Sequence, residues 1–136
     1  MPKLPNIING VGIQKADTVN DEVSQSLIDG LSWCISTGMV VPGTLKSIWI
    51  SSASDQHKMP SRHAQHKAVD ISRVNGTKIA VGYPIDPFVR AIVDAIQDNF
   101  EGYVHKRENF GPHLKRKHGQ PWNVSGHDDH IHLSVN

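Results

Sequence analysis

The sequence predicts an α+β domain on an antiparallel sheet. Three observations carry the prediction. Two stretches repeat apolar residues at helical spacing, short β-rich runs lie between and after them, and hairpin signals mark the junctions. A length of 136 residues fits a single domain, residues 1–136, near the commonest domain size.

Taken in order, residues 1–19 hold Pro2, Pro5, Gly10 and Gly12, show no sustained period and are expected to be irregular. Asn20 resembles an N-cap, with Asp21 and Glu22 in the first turn. Val23, Leu27, Leu31 and Cys34 or Ile35 then recur at helical spacing, predicting a helix over 21–36 that stops by Gly38 and Pro42-Gly43. Leu45–Ser51 reads as a strand, residues 52–62 as a polar loop with Pro60, and Ala68–Arg73 as a second strand. Asn75-Gly76 is a hairpin signal, so Lys78–Gly82 is expected to return as a strand. Pro87 suits a first helical turn; Phe88, Ile92, Ile96 and Phe100, flanked by Val89 and Val93, carry that helix to about 99. Gly102–Lys106 reads as a strand and 107–126 as a long irregular stretch. His130–Val135 closes the chain as a strand. The order is α-β-β-β-α-β-β.

Composition narrows the function classes. Hydrophobic residues at 38% and charged residues at 20% describe an ordinary globular chain. No apolar run approaches the ~20 residues that span a bilayer, so membrane insertion is not expected. Met1–Asn6 lacks the apolar stretch of a secretory signal, which predicts a cytoplasmic product or one that reaches another compartment by a route needing no such signal. The single cysteine, Cys34, excludes an intrachain disulfide framework and a multi-thiolate zinc site. It lies on the apolar stripe of the first helix and reads as a buried thiol. Trp33 and Trp49 read as core. Net charge is +1, but Lys106, Arg107, Lys115, Arg116 and Lys117 crowd one segment against Glu108 alone. That run is either a solvated face or an attractor of a polyanion.

The chemistry concentrates in histidines. There are nine, all at or after position 57, in two main clusters: His63-Ala64-Gln65-His66-Lys67-Ala68-Val69-Asp70 and His127-Asp128-Asp129-His130-Ile131-His132. Imidazole and carboxylate ligands leave zinc a strong Lewis acid, and three protein ligands leave a position open. On a strand, His130 and His132 share a face with Asp128, while Ile131 and Leu133 face the core. His63 in a loop can fold back over Asp70.

The pattern Ser61-x-His63-x-x-x-x-Ala68-x-Asp70, followed by His130-x-His132, resembles the superfamily of lysostaphin-type peptidases, D-alanyl-D-alanine peptidases and the hedgehog signalling domain. The run Gly126–His132 is most similar to the penicillin-insensitive murein endopeptidases within it. The resemblance covers about a third of the chain and implies a small antiparallel sheet flanked by helices, of the hedgehog/D-Ala-D-Ala-peptidase type. It implies that His63, Asp70 and His132 hold one Zn2+ per chain, that His130 stabilises developing charge, and that His127 is the base. Asp129 is the rival base, and strand parity turns it away from the pocket if the strand has already begun there. Two departures matter. Relatives carry Gly where this chain has His66, which reads as a surface histidine or an extra polar group near the metal. Carboxypeptidase relatives also place an Arg in the stretch occupied here by Ser51–Gln56, which favours an endopeptidase unless Arg62 or Lys58 substitutes. Trp122 is expected to line a substrate groove or to pack in the core.

The resemblance implies a peptidoglycan endopeptidase acting as a monomer on the bacterial cell wall. Without a signal peptide it resembles a bacteriophage endolysin, held in the host cytoplasm until a holin releases it. Carboxypeptidase or L-alanyl-D-glutamate peptidase activity is the alternative within the superfamily. An HNH-type nuclease, suggested by Asp129-His130-Ile131, lacks its later Asn and His, so no nucleic-acid partner is expected. A zinc-bound module without catalysis is disfavoured because His127 and Asp129 both remain as bases.

Overall fold

Asn9 and Gly10 sit in the left-handed region, at φ 48° and 80°, and fold strand β1 (Ile7–Ile8) back onto β2 (Val11–Lys15). The expected irregular N-terminus is therefore a hairpin. Residues 1–40, 44–55 and 62–136 are described by this computed structural model of the chain. The Pro42-Gly43 stop, Lys58, Pro60 and Ser61 lie outside the described residues.

Helix α1 spans Gln25–Cys34, with the Ser24 hydroxyl accepting from the Leu27 amide at 3.2 Å. It starts four residues later than expected. Leu4 N–H donates to Asp21 O and Val23 N–H to Pro2 O, so residues 21–23 run extended beside the N-terminus. Asn20 instead accepts from the Glu22 amide. Helix α1 carries the chain over to β3 (Ser47–Ser52), which lies parallel to β2; the sheet is mixed, not purely antiparallel.

Strand β4 (Ala68–Val74) pairs antiparallel with β3, and Asn75-Gly76 makes the expected hairpin, both residues at positive φ. The returning strand is only β5 (Thr77–Lys78), followed by a turn of helix α2 (Ile79–Gly82). A helical turn lets Ile79 and Gly82, three apart, both be buried. Val89 approaches Gly82 so closely that a Cβ there would meet its methyl at 2.9 Å. Helix α3 (Pro87–Phe100) is capped by Asp86, which accepts from the Phe88 and Val89 amides. Its buried stripe is Val89, Ile92, Val93, Ile96 and Phe100, with Phe88 exposed.

The strand expected at 102–106 begins where that prediction ended. Turn bonds from Gly102 to Asn99 and from Tyr103 to Phe100 occupy the residues after α3, and β6 covers Lys106–Phe110. The stretch expected to be irregular holds β7 (Lys115–Lys117) and β8 (Gln120–Pro121), before β9 (Ile131–Val135) closes the sheet. The strand order is β1-β2-β3-β4-β9-β6-β7-β8, with β5 beside β4. The architecture is α+β on a mostly antiparallel open sheet.

Two faces of this sheet have separate tasks. Ile50, Val69, Ile71, Ile131, Leu133 and Val135 are fully buried in a core shared with Leu27, Leu31, Ile96 and Phe100. Each such side chain contributes about 1.5–3 kcal/mol by leaving water. Cys34 belongs to this core, and burial pushes its thiol up to about 12, so it is inert as expected. Trp33 is 60% exposed and is not core; its indole donates to Asn99 O. Trp49 is half-buried, with the Arg73 guanidinium 4.8 Å from its ring.

On the other face, cross-strand neighbours line up as Ser52–Asp70–His132–Phe110–Lys115 across β3, β4, β9, β6 and β7. The buried Gln97 of α3 locks that end of the sheet. Its amide donates to Asn109 Oδ1 and Leu114 O, both at 3.0 Å, and accepts from the His113 amide. No helix among the described residues is long and apolar enough to cross a membrane.

Candidate metal centre

Asp70 and His132 are directly opposed in the β4–β9 ladder, so strand pairing alone brings them within reach. His63 arrives from a tight turn in which Gln65 and Lys67 N–H donate to Arg62 O and His66 N–H to His63 O. That turn needs a left-handed residue, and His66 supplies it at φ 62°. A conformation that favours glycine gives a physical reason for the Gly that the resembled family carries there. The His66 ring donates to Glu22 O at 2.8 Å and takes no part in the metal-competent group.

His63, Asp70 and His132 form that group, their ligand atoms all within 4.8 Å of one another. Asp70 Oδ1 lies 2.9 Å from His132 Nδ1 and 3.3 Å from His63 Nε2, and the two nitrogens are 3.2 Å apart. The far side of each ring is engaged. His63 Nδ1–H donates to the carbonyl of buried Ala53 at 2.8 Å, and His132 Nε2–H to Glu108 Oε1 at 3.1 Å. A neutral imidazole has one N–H. With both hydrogens turned outward, three acceptor atoms converge on one point, an arrangement that only a cation or a proton satisfies. Edges of 2.9, 3.2 and 3.3 Å approach the ~3.3 Å separating tetrahedral ligands at ~2.0–2.1 Å from an ion. The donor set therefore fits a divalent metal.

Electrostatics agree. Burial raises the Asp70 carboxyl, but hydrogen bonds from His132 and His63 outweigh it and hold the group far below the usual carboxylate range. Burial likewise opposes charge on His132, yet its bonds to Asp70 and Glu108 lift the imidazole to about 9. In the metal-free protein a proton thus stands between His132 Nδ1 and Asp70.

Glu108 was not singled out from the sequence as part of the site. Its carboxylate accepts from His132 and from Ser134 Oγ at 2.8 Å, while Ser134 Oγ accepts from the Glu108 amide. These bonds outweigh the burial that would raise it and hold it down to about 2. Such carboxylate–histidine pairs orient a ligand ring and raise its basicity. The only signal in the sequence was a lone acid inside a basic run.

The remaining histidines stand at the rim. His130 immediately precedes β9 rather than lying in it, yet its Nε2 comes 4.0 Å from Asp70 Oδ1. Asp129 is not turned away by strand parity, because the strand has not begun; its Oδ1 pairs with His130 Nδ1 at 2.7 Å. Asp128, expected on the face of His132, is exposed and pairs with Lys115. His127 Nδ1–H donates to Ser125 O at 2.8 Å, which leaves Nε2 as its lone-pair nitrogen. Its ring lies 5.1 Å from that of His130 and 5.7 Å from that of His132. Partial burial, with the nearby His130, lowers its pKa despite the Ser125 bond, so it is neutral near pH 7. Phe110 stacks on His132 with planes 17° apart.

A cleft of about 220 Å³ opens beside Asp70, lined by Ser51, Ser72, Asp129 and His130. A larger one of about 400 Å³, between Pro84 and Asp94, shares no residue with the group. Trp122 is half exposed and not core, its ring 4.5 Å from Lys117 Nζ. Arg62, a possible stand-in for the missing arginine, donates to Gln65 within its own turn. No protein-family model, curated protein or solved structure matches this chain.

Proposed function

We propose that this chain is a zinc-dependent peptidoglycan endopeptidase of the hedgehog/D-Ala-D-Ala-peptidase type, working on the cell wall as an endolysin. The observation that carries the reading is the convergence of His63 Nε2, Asp70 Oδ1 and His132 Nδ1, with the outer nitrogens of both histidines already bonded. Those three atoms would hold the ion. Zinc, rather than a hard oxygen-preferring cation, matches two imidazoles and one carboxylate, and bound there it supplies Lewis acidity toward a carbonyl and toward water.

The chain's own residues do the rest. His127, neutral with Nε2 open, takes a proton from attacking water and hands it to the leaving amine. His130, held by Asp129 through Nδ1, turns Nε2 toward the same point and stabilises charge developing on the attacked carbonyl oxygen. The cleft beside Asp70 has no Lys or Arg among its described lining residues. A carboxypeptidase must bind the terminal carboxylate of its substrate, so this lining favours cleavage within the peptide.

Digestion of purified peptidoglycan by the zinc-supplemented protein, read by mass spectrometry, tests the reading. Release of fragments with one new peptide amine per cut is expected, abolished by chelator. Intact stems after prolonged digestion would refute it.

A further inference from the structure

The basic run near the centre does not form one patch. Lys115 is tied to Asp128 at 2.8 Å and to Gly111 O. Arg116, opposite Asn109, lies on the helix side of the sheet, 3.9 Å from Glu101. Lys117 is opposite Glu108, on the face that carries Asp70 and His132, but the Glu108 carboxylate is taken by His132 and Ser134. Among the described residues no carboxylate pairs with Lys117. Its ammonium instead stands 4.5 Å from the ring of half-exposed Trp122, and the Trp122 amide donates to Lys115 O.

We propose that Lys117 and Trp122 form a subsite for a free carboxylate of the substrate peptide, across β9 and β6 from the Ser51–Asp129 cleft. The inference rests on the peptidase reading above and names what its substrate must carry. An ammonium screened from water on one side by indole pairs with a carboxylate better than a fully hydrated one does, and the indole N–H offers a second donor. Strand β7 is two strands from β9, so at ~4.8 Å per strand the subsite lies on the order of 10 Å across the sheet from His132. A few residues of extended peptide span that distance. The two ends of this face differ in charge, with Asp129 and two serines at the cleft and Lys117 beyond Phe110 at the other side. That difference also orients the chain. Peptidoglycan stems bear free side carboxylates along their length and meet this requirement. A wall polyphosphate would draw on summed charge, which the splitting of the run removes.

The test uses zinc-loaded protein and two synthetic stem tetrapeptides, one with free side carboxylates and one with each converted to carboxamide. Kd by calorimetry and KM and kcat by fragment release are read for wild type, Lys117→Gln and Lys117→Arg. Wild type is expected to prefer the carboxylate peptide about three- to tenfold in Kd and KM. Lys117→Gln should erase the preference with kcat within about twofold, and Lys117→Arg should retain most of it. Equal Kd for both peptides in wild type, or a preference surviving in Lys117→Gln, overturns the subsite. Loss confined to adsorption on intact walls also overturns it, in favour of a polyanion face. Carboxylate-dependent binding without cleavage would leave the subsite standing and refute the peptidase reading.

Discussion

The histidines of this chain occupy two environments only a few ångströms apart. His63 and His132 are buried, and each ring has a hydrogen-bond partner on its outer nitrogen, a carbonyl for one and a carboxylate for the other. His127 and His130 stand at the rim on residues 125–130, ahead of the last strand, bonded to Ser125 O and to exposed Asp129. The inner pair is built to stay still and keep lone pairs aimed at one point. The outer pair is solvated enough to exchange protons. Burial separates the metal-competent pair from the rim pair, although the residue type is the same.

The largest expected effect comes from breaking the outer layer alone. His127→Ala should retain the metal and the fold and lose ~10²–10⁴-fold in kcat, the usual share of a general base. Loss of metal in that variant would erase the distinction between the layers.

Removing the inner support should do the reverse. Glu108→Ala leaves His132 Nε2 without its acceptor and should weaken zinc binding about 10–100-fold, measured by competition with a chelator. An unchanged affinity would make Glu108 a bystander.

Protons sharpen the same contrast. His132 must shed a proton to bind metal, and its pKa in the metal-free protein is lifted to about 9. Apparent zinc affinity should therefore rise about tenfold per pH unit below 9 and flatten above it. Stability of the metal-free protein should run the opposite way. A raised folded-state pKa stabilises fully below the unfolded value of ~6.5 and is lost as pH climbs through 9. Chelator-treated protein should thus melt at lower temperature at pH 9.5 than at pH 6.5 through this group.

The smallest effect separates positioning from base catalysis at Asp129. Asp129→Asn keeps an oxygen to accept from His130 Nδ1 and should cost only a few-fold in kcat, whereas Asp129→Ala should cost about tenfold. Two equally dead variants would return Asp129 to the role of base.

Much of this site was legible because its signals are local. Strand period marks His130 and His132 as a same-face pair and Asp70 as strand-borne. The family resemblance picks His63, Asp70 and His132 from the candidates, and the β4–β9 register sets Asp70 opposite His132. Glu108 was not legible: its role depends on β6 pairing with β9 in one register, with a bulge between Lys106 and Asn109, and no local pattern encodes that. The position of Asp129 hinged on one residue. Parity turns its side chain away only if β9 has begun by Asp129, and β9 begins at Ile131. The N-terminal hairpin, by contrast, had a local signal, since Asn9-Gly10 is the same dipeptide as Asn75-Gly76 and takes the same pair of positive φ values. The prolines and the short flanking strands masked it. The displaced start of α1 reflects competition, with backbone pairing to Pro2 and Leu4 outweighing the capping signal at Asn20.

Elemental analysis tests the central claim most directly. Protein equilibrated with zinc and desalted should hold about one ion per chain, and His132→Ala treated identically should hold essentially none while keeping its far-ultraviolet dichroism. A wild type that emerges without metal, or a His132→Ala variant that retains a full equivalent, would contradict the inner layer as a metal centre.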